Sequence, residues 1–275
     1  MYESHWNLKR RPFENWSDDA LYYPSEVHQT GLLKLRYGVE NRRSAAVLCG
    51  DSGMGKSILL SSFVDQLPED FAPIAQVVFP TLPSEQLLSY IADQWTGTTG
   101  PDTEPMRSSL GRIEQFLRKN VEAKKHAVLI VDEAHLLTDP QQLETLRLLL
   151  NVNATVPEAE SAWTLILVGH PSLIGLVEHN QALDGRVSVK CVLQRLSLEQ
   201  TAGYIQHRLA AVGGDIDAIF SPEAIEAVQL RSSGVPRRIN RLCDLGLMVA
   251  YAEDQSRIEA HHIEGVYNEL VSIPT

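Results

Sequence analysis

Eight consecutive residues carry the clearest chemical signal in the chain, a glycine-rich run that ends in lysine and serine. The pattern G-x-x-x-x-G-K-S lies between apolar stretches at 45–49 and 58–64, which predict a strand before it and a helix after it. Glycines let backbone N–H groups turn inward around phosphate oxygens, and the helix adds the positive end of its dipole. We therefore predict a phosphate-binding loop made of Gly50, Asp51, Ser52, Gly53, Met54, Gly55, Lys56 and Ser57.

An acidic pair, Asp132-Glu133, directly follows a second apolar run at 127–131. The carboxyl ends of parallel strands meet at one edge of a sheet, so we expect this pair on the edge where the loop opens. Lys56 can reach the β- and γ-phosphates, while the Ser57 hydroxyl and the Asp132 carboxylate can hold Mg²⁺. Glu133 can orient or deprotonate a water that attacks the γ-phosphate. Together the two motifs predict a magnesium–nucleotide site.

Hydrolysis also needs groups that sense the γ-phosphate and stabilise charge, and the sequence offers three candidates. His170 ends the strand predicted at 163–168 and could position the attacking water, or could be a surface histidine. Arg186 could reach a neighbouring subunit's phosphate as an arginine finger, although its position alone favours a surface arginine. Arg237 could touch the phosphates from a helical lid, with Arg238 as the competing residue and surface ion pairs as the alternative for both.

Composition bounds the remaining possibilities. The chain has 275 residues, is 44% hydrophobic and carries a formal net charge of −11, which suits one or two globular domains. The acidic balance weighs against a protein that simply coats nucleic acid, without excluding a local basic patch. Its three cysteines are far apart and without metal spacing, which indicates reduced thiols. Because no secretory signal or long apolar run is present, we expect a cytoplasmic protein without a transmembrane segment.

Strands and helices alternate in the first two thirds of the chain, and only helices follow. The apolar runs predict strands at 45–49, 74–79, 127–131 and 163–168, and hence an α/β fold with a parallel sheet wound on both faces. Helices are predicted at 197–212, 221–233, 236–251 and 260–271. We therefore divide the chain into an N-terminal segment packed on the core (1–24), a nucleotide-binding α/β domain (25–195) and a small helical lid (196–275).

These motifs resemble those of the AAA+ ATPases of the ExeA type, also called general secretion pathway protein A. The similarity covers nearly the whole chain. It includes the glycine-rich loop as Walker A, Val131-Asp132-Glu133-Ala134-His135 as Walker B, and Leu167-Val168-Gly169-His170-Pro171 as the sensor-1 strand. The run from Gly234 to Asp244 is similar to the lid motif of the family and is the most specific match.

The resemblance implies a P-loop AAA+ fold that binds ATP and Mg²⁺, with His170 as sensor 1, Arg186 as finger and Arg237 as sensor 2. This sequence departs from the family pattern in three places. The family usually has glutamine where His170 stands, the motif around Arg186 keeps only the arginine, and Phe79-Pro80 replaces an Asn-Pro pair. The resemblance therefore gives less support to the positioning of water by His170, and to a switch role at the position where the family has asparagine.

The main functional hypothesis is an ATPase that hydrolyses ATP at subunit interfaces of a homo-oligomeric ring or filament and acts as a switch for a partner. One version is a transposition regulator similar to TnsC or TniB, which would bind duplex DNA and a transposase or targeting protein. Another is a secretion or envelope accessory ATPase that serves a secretion-system component. A third is a low-turnover scaffold in which ATP only drives assembly. A helicase is excluded because that class needs two RecA-like α/β domains, and the length of this chain allows one such domain plus a lid.

Overall fold

The computed structural model describes residues 1–14, 23–101, 104–155 and 161–272. By compactness the chain forms two units. The sheet unit consists of Thr30–Asp51 and Leu59–Leu193, and the helical unit of Met1–Gln29, Ser52–Ile58 and Gln194–Thr275. The predicted division into 1–24, 25–195 and 196–275 stays a prediction.

The sheet unit is built on five parallel strands in the order β2-β3-β4-β1-β5. Every residue of the three central strands is buried, so both faces of the sheet are covered, as their continuous apolar sequences predict. The parallel α/β fold is thereby confirmed. The strands are β1 (Ala45–Cys49), β2 (Ile74–Val77), β3 (Ala127–Val131), β4 (Trp163–Gly169) and β5 (Val187–Val192).

Two strands differ from the sequence prediction. β5 was not predicted, because it is an edge strand in which polar Ser188 and Lys190 alternate with buried residues, so it contains no continuous apolar run. β2 ends at Val77 rather than at residue 79, and the side chains of Val78 and Phe79 are 60% and 69% exposed. β2 is the opposite edge strand, and its register with β3 ends at Val77.

Helices account for most of the other regular structure among the described residues. Two of them, α1 and α2, have their first residues in the helical unit and the rest in the sheet unit. The helices that lie wholly or partly in the sheet unit are α1 (Glu26–Glu40), α2 (Lys56–Gln66), α3 (Ser84–Thr96), α4 (Met106–Glu122), α5 (Pro140–Leu149), α6 (Ser172–His179) and α7 (Gln181–Asp184).

The helical unit follows the predicted pattern and adds one short helix. Ser197 and Ser221 accept hydrogen bonds from backbone N–H groups in the first turns of the helices that follow them, so these helices begin where their caps predict. The helices are α8 (Leu198–Ala210), α9 (Ile216–Ile219), α10 (Pro222–Ser232), α11 (Pro236–Ala252) and α12 (Ala260–Ser272). The described part of the N-terminal segment packs among them: the Trp6 indole donates to the Leu247 carbonyl at 3.2 Å.

Candidate nucleotide site

The carboxyl ends of β1, β3 and β4 lie side by side, and each is followed by a residue from the predicted site. Cys49 of β1 is in register with Gly169 of β4, and the Gly50 amide donates to the Gly169 carbonyl at 3.1 Å. Asp132 follows β3, and its amide donates to the Val77 carbonyl at 2.8 Å. The topology therefore brings the start of the loop, the acidic pair and His170 to one edge of the sheet.

Glu133 occupies an unusual backbone conformation at this edge. Its φ is +49°, in the left-handed region, which costs a residue other than glycine on the order of 1 kcal/mol. The Asp132 carboxylate accepts the Glu133 amide at 2.8 Å, and a single 3₁₀ turn at Ala134–Leu136 follows. The sharp turn leaves the Glu133 side chain half exposed, so its carboxylate is accessible to water.

The structure gathers Glu133 and His170 around a residue that the sequence analysis treated only as part of a motif. Nδ1 of His135 lies 3.4 Å from Glu133 Oε2 and accepts the His170 amide at 3.4 Å. Nε2 of His170 lies 3.5 Å from Asp51 Oδ1. A Cβ at Gly169 would lie 3.1 Å from the His135 amide nitrogen, so a side chain there would require His135 to shift by a few tenths of an ångström. In the sequence, the feature that could have identified His135 is its position two residues after Glu133.

Arg186 does not join this group. Its guanidinium donates to the Arg147 carbonyl at 3.2 Å and to the Asn151 side chain, and these are its hydrogen bonds within the described residues. The side chain is partly exposed and lies just before edge strand β5. Its predicted role as an arginine finger therefore depends on a second subunit.

The rest of the phosphate-binding loop belongs to the helical unit. Gly53 and Gly55 have φ values of +84° and +86°, which explains why glycine is needed at both positions. Met54 between them is fully buried. Helix α2 begins at Lys56, and the N–H groups of a helix's first turn point out of its N-terminal end, which favours the binding of an anion there. Ser57 is exposed at the same helix end.

Arg237, rather than Arg238, lies against the loop. The Arg237 amide donates to the Gly53 carbonyl at 3.2 Å, and Nη1 donates to Ser52 Oγ at 3.4 Å. A Cβ at Gly53 would lie 2.7 Å from Arg237 Cβ, so the two residues are packed closely. The exposed Arg238 side chain makes no hydrogen bond within the described chain.

Gly234 fixes the beginning of the helix that carries Arg237. Its φ is +71°, and a Cβ there would lie 2.1 Å from the Leu196 carbonyl oxygen, so no side chain fits. The Leu196 amide donates to the Gly234 carbonyl at 2.9 Å, and the Gln229 side chain donates to the Leu196 carbonyl at 3.0 Å. Pro236 then begins α11 at a position where no N–H is needed.

A small, partly open pocket with a volume of about 50 Å³ lies next to the loop within the helical unit. It is lined by aromatic and apolar groups, by Gly55 of the loop, and by the side chains of Ser25, His28 and Arg208. Tyr23 and Tyr204 stand with ring centroids 5.8 Å apart at its wall. A pocket of this size has room for a few water molecules, and its aromatic wall lies beside the phosphate-binding loop.

A sequence model described as AAA domain matches residues 39–177, which is half of the chain and includes both predicted motifs. The chain belongs to the AAA domain family. Among curated proteins, this AAA protein is 30% identical to General secretion pathway protein A of Aeromonas hydrophila over 279 aligned residues. The alignment covers 98% of the chain and 50% of that relative, so the chain spans about half of the relative's length.

Solved structures extend the AAA likeness to the whole fold. Cdc6p of Pyrobaculum aerophilum matches with a TM-score of 0.68 and 16% identity over 94% of this chain and 74% of that one. The ORC2 protein of Aeropyrum pernix matches at 0.66 and 17% over 97% and 73%. The RuvB branch migration motor of Thermotoga maritima matches at 0.58 and 19% over 93% and 74%. At these identities the likeness concerns the fold alone.

One negative finding concerns membranes: among the described residues of this AAA chain, no helix is both long enough and apolar enough to span a bilayer.

Proposed function

We propose that this AAA protein binds ATP with Mg²⁺ and hydrolyses it to ADP and phosphate at the interfaces of a homo-oligomer. The observation that carries the proposal is the conformation of the loop, in which two left-handed glycines precede a helix that begins at the motif lysine. Such a loop offers backbone N–H groups to an anion. Membership of the AAA domain family supports a nucleotide over a simple phosphate.

Each polar residue then has a defined task. Lys56 would bind the β- and γ-phosphates, and Ser57 and Asp132 would hold the magnesium ion, for which hydroxyl and carboxylate oxygens are suitable ligands. Glu133 would activate the attacking water, and His170 would position it. Arg237 would contact the phosphates from the helix that begins beside the loop.

The placement of Arg186 supports the proposal of an assembly. Within its own chain this arginine is bound to Arg147 and Asn151 and does not contact Glu133 or His170. A finger supplied to a neighbouring subunit would complete that neighbour's site, and such head-to-tail contacts generate rings or helical filaments. We therefore propose that ATP turnover occurs between subunits.

The proposal has two main versions, which differ in the partner of the ATPase. Relationship to General secretion pathway protein A over almost the whole chain favours an accessory ATPase of a secretion system. The competing proposal is a transposition regulator that forms ATP-dependent filaments on duplex DNA and recruits a transposase. A scaffold with little turnover is the third possibility, against which the combination of Lys56, Asp132 and Glu133 argues.

Binding and assembly can be tested in one set of samples. Titration with Mg-ATP is expected to show saturable binding that Lys56→Ala weakens by about 100-fold, because charged hydrogen bonds to phosphate are lost. Unchanged affinity in that variant would refute the nucleotide site.

Electron microscopy with a non-hydrolysable ATP analogue, with and without duplex DNA, then separates the partners. Filaments that require DNA would support the transposition regulator. Rings or filaments indifferent to DNA would support the secretion reading, and the Lys56→Ala protein should form neither. Particles that stay monomeric with saturating analogue would refute assembly.

A further inference from the structure

A buried histidine outside both motifs contacts the phosphate-binding loop. His28 lies in the first turn of α1, is 7% exposed, and brings Nε2 to 2.8 Å from the Met54 carbonyl oxygen. Its Nδ1 lies 2.6 Å from the Ser25 hydroxyl oxygen. A Cβ at Gly55 would be 2.8 Å from His28 Nε2, so the imidazole is packed directly against the loop.

The hydrogen bonds fix which ring nitrogen carries the proton. A carbonyl oxygen can only accept, so Nε2 must be the N–H that donates to Met54. Nδ1 then accepts from the Ser25 hydroxyl, whose oxygen in turn accepts the His28 amide at 3.3 Å. Burial lowers the pKa of His28, against a smaller opposing effect of the Met54 hydrogen bond, which favours the neutral ring.

This contact determines how one peptide group of the loop is turned. The carbonyl oxygen and the N–H of a trans peptide point in opposite directions. Holding the Met54 oxygen on one side therefore directs the Gly55 N–H to the other side, away from His28. Because Gly55 has a positive φ and no side chain to restrict it, the Met54–Gly55 peptide would otherwise have more rotational freedom.

We propose that His28 is a positioning residue for nucleotide binding, which orients the Met54–Gly55 peptide so that the Gly55 N–H faces the phosphates. The role rests on the proposed nucleotide function and adds to it a residue from outside the loop. A preorganised donor binds an anion better than one that must first be turned.

Two amide substitutions, each of which can replace one of the two ring nitrogens, test the donation to Met54. In His28→Asn, the side-chain amide can replace Nδ1 but is too short to reach Met54, so the Kd for Mg-ATP should rise by about tenfold, as for loss of one buried hydrogen bond. In His28→Gln, the amide nitrogen occupies the place of Nε2 and can donate, so affinity should return to within about threefold of wild type. Circular dichroism and thermal melting confirm that both variants are folded.

Several outcomes would overturn the role. Wild-type affinity in His28→Asn, with affinity lost in Lys56→Ala, would refute positioning and leave the nucleotide site standing. Equal weakening in the two His28 variants would mean that a donor at the position of Nε2 does not restore binding, which would refute the role of the Met54 hydrogen bond. If Lys56→Ala also bound normally, the nucleotide function and this role would fall together.

The unmodified protein provides a test that does not depend on the folding of a variant. Long-range ¹⁵N–¹H NMR of the histidine rings should show His28 at pH 7 as the neutral tautomer protonated on Nε2. A ring protonated on Nδ1, or on both nitrogens, would contradict the assigned hydrogen bonds and overturn the proposal.

Discussion

The two regions that supply the proposed site are held in different ways. In the helical unit, the loop is fixed through its backbone: Met54 O accepts from His28 at 2.8 Å and Gly53 O from Arg237 at 3.2 Å. At the sheet edge, the contacts converge on one partly exposed side chain: Glu133 Oε2 and the His170 amide each lie 3.4 Å from Nδ1 of His135. The first region presents backbone N–H groups that can bind an anion, whereas the second presents carboxylate and imidazole groups that can act on a water molecule. Substitutions should therefore change affinity in the first region and turnover in the second.

The largest effect is expected at Arg186. Arg186→Ala should keep ATP affinity and lower turnover by ~10³-fold, because a finger that stabilises the transferring phosphoryl group is removed. Steady-state hydrolysis against protein concentration gives the measurement. Mixing this variant with Lys56→Ala, each inactive alone, should restore activity, since one supplies the intact loop and the other the arginine. No recovery in mixtures that still assemble would show that Arg186 has only a structural role.

Glu133→Gln tests the sheet edge directly. We expect unchanged ATP binding and a fall in turnover on the order of 10²-fold, because the amide cannot accept a proton from water. Glu85, exposed in the first turn of α3, provides a matched control as Glu85→Gln and should hydrolyse ATP normally. Continued hydrolysis by the Glu133 variant would remove it as the water-activating residue. A large loss of affinity would break the distinction between the two regions.

Arg237 and Arg238 form a matched pair on the other side of the comparison. Arg237→Ala should weaken Mg-ATP binding by about tenfold, as for loss of a charge-assisted hydrogen bond, whereas Arg238→Ala should leave it unchanged. Calorimetric titration of both variants decides the assignment. Equal losses would indicate that general positive charge matters more than the contact with Ser52.

The smallest effect at neutral pH is expected at His126, which is fully buried directly before β3 and belongs to neither motif. Its pKa is lowered from 6.5 to about 4, mainly because burial disfavours the imidazolium, and further by the Arg42 guanidinium. Nδ1 lies 3.2 Å from the Ser161 carbonyl oxygen, and Nε2 lies 2.8 Å from Thr164 Oγ1.

The sign of the pH effect follows from this order of pKa values. The unfolded chain takes up the proton near pH 6.5 while the folded chain resists it until about pH 4. The contribution of His126 to the free energy of unfolding, on the order of 3 kcal/mol, is therefore complete above pH 6.5. It is lost as the pH falls from 6.5 to about 4. Denaturant unfolding of wild type and His126→Asn should give curves whose difference shrinks toward acid pH. A difference independent of pH would contradict the shifted pKa.

Sequence reasoning succeeded where neighbours in sequence determine the structure. The loop follows a strand and begins a helix, and the acidic pair follows another strand, so local pattern placed both. The central strands were predicted because burial on both faces makes them continuously apolar, and β5 was missed because an edge strand alternates. His28 and His135 were overlooked because their partners are fixed only by the folded chain. The sequence could not decide which of Arg237 and Arg238 contacts the loop, because this depends on the orientation of α11 in the folded chain.

The close packing of Gly234 also fixes the position of Arg237. It leaves no space for a side chain, because its backbone lies against Leu196, and the helix that it precedes carries Arg237 to the loop. A larger residue there would shift the arginine while leaving every residue of the two motifs intact. A search for damaging variants that inspects only the two motifs would therefore miss Gly234, although a substitution there would move Arg237 away from the phosphate-binding loop.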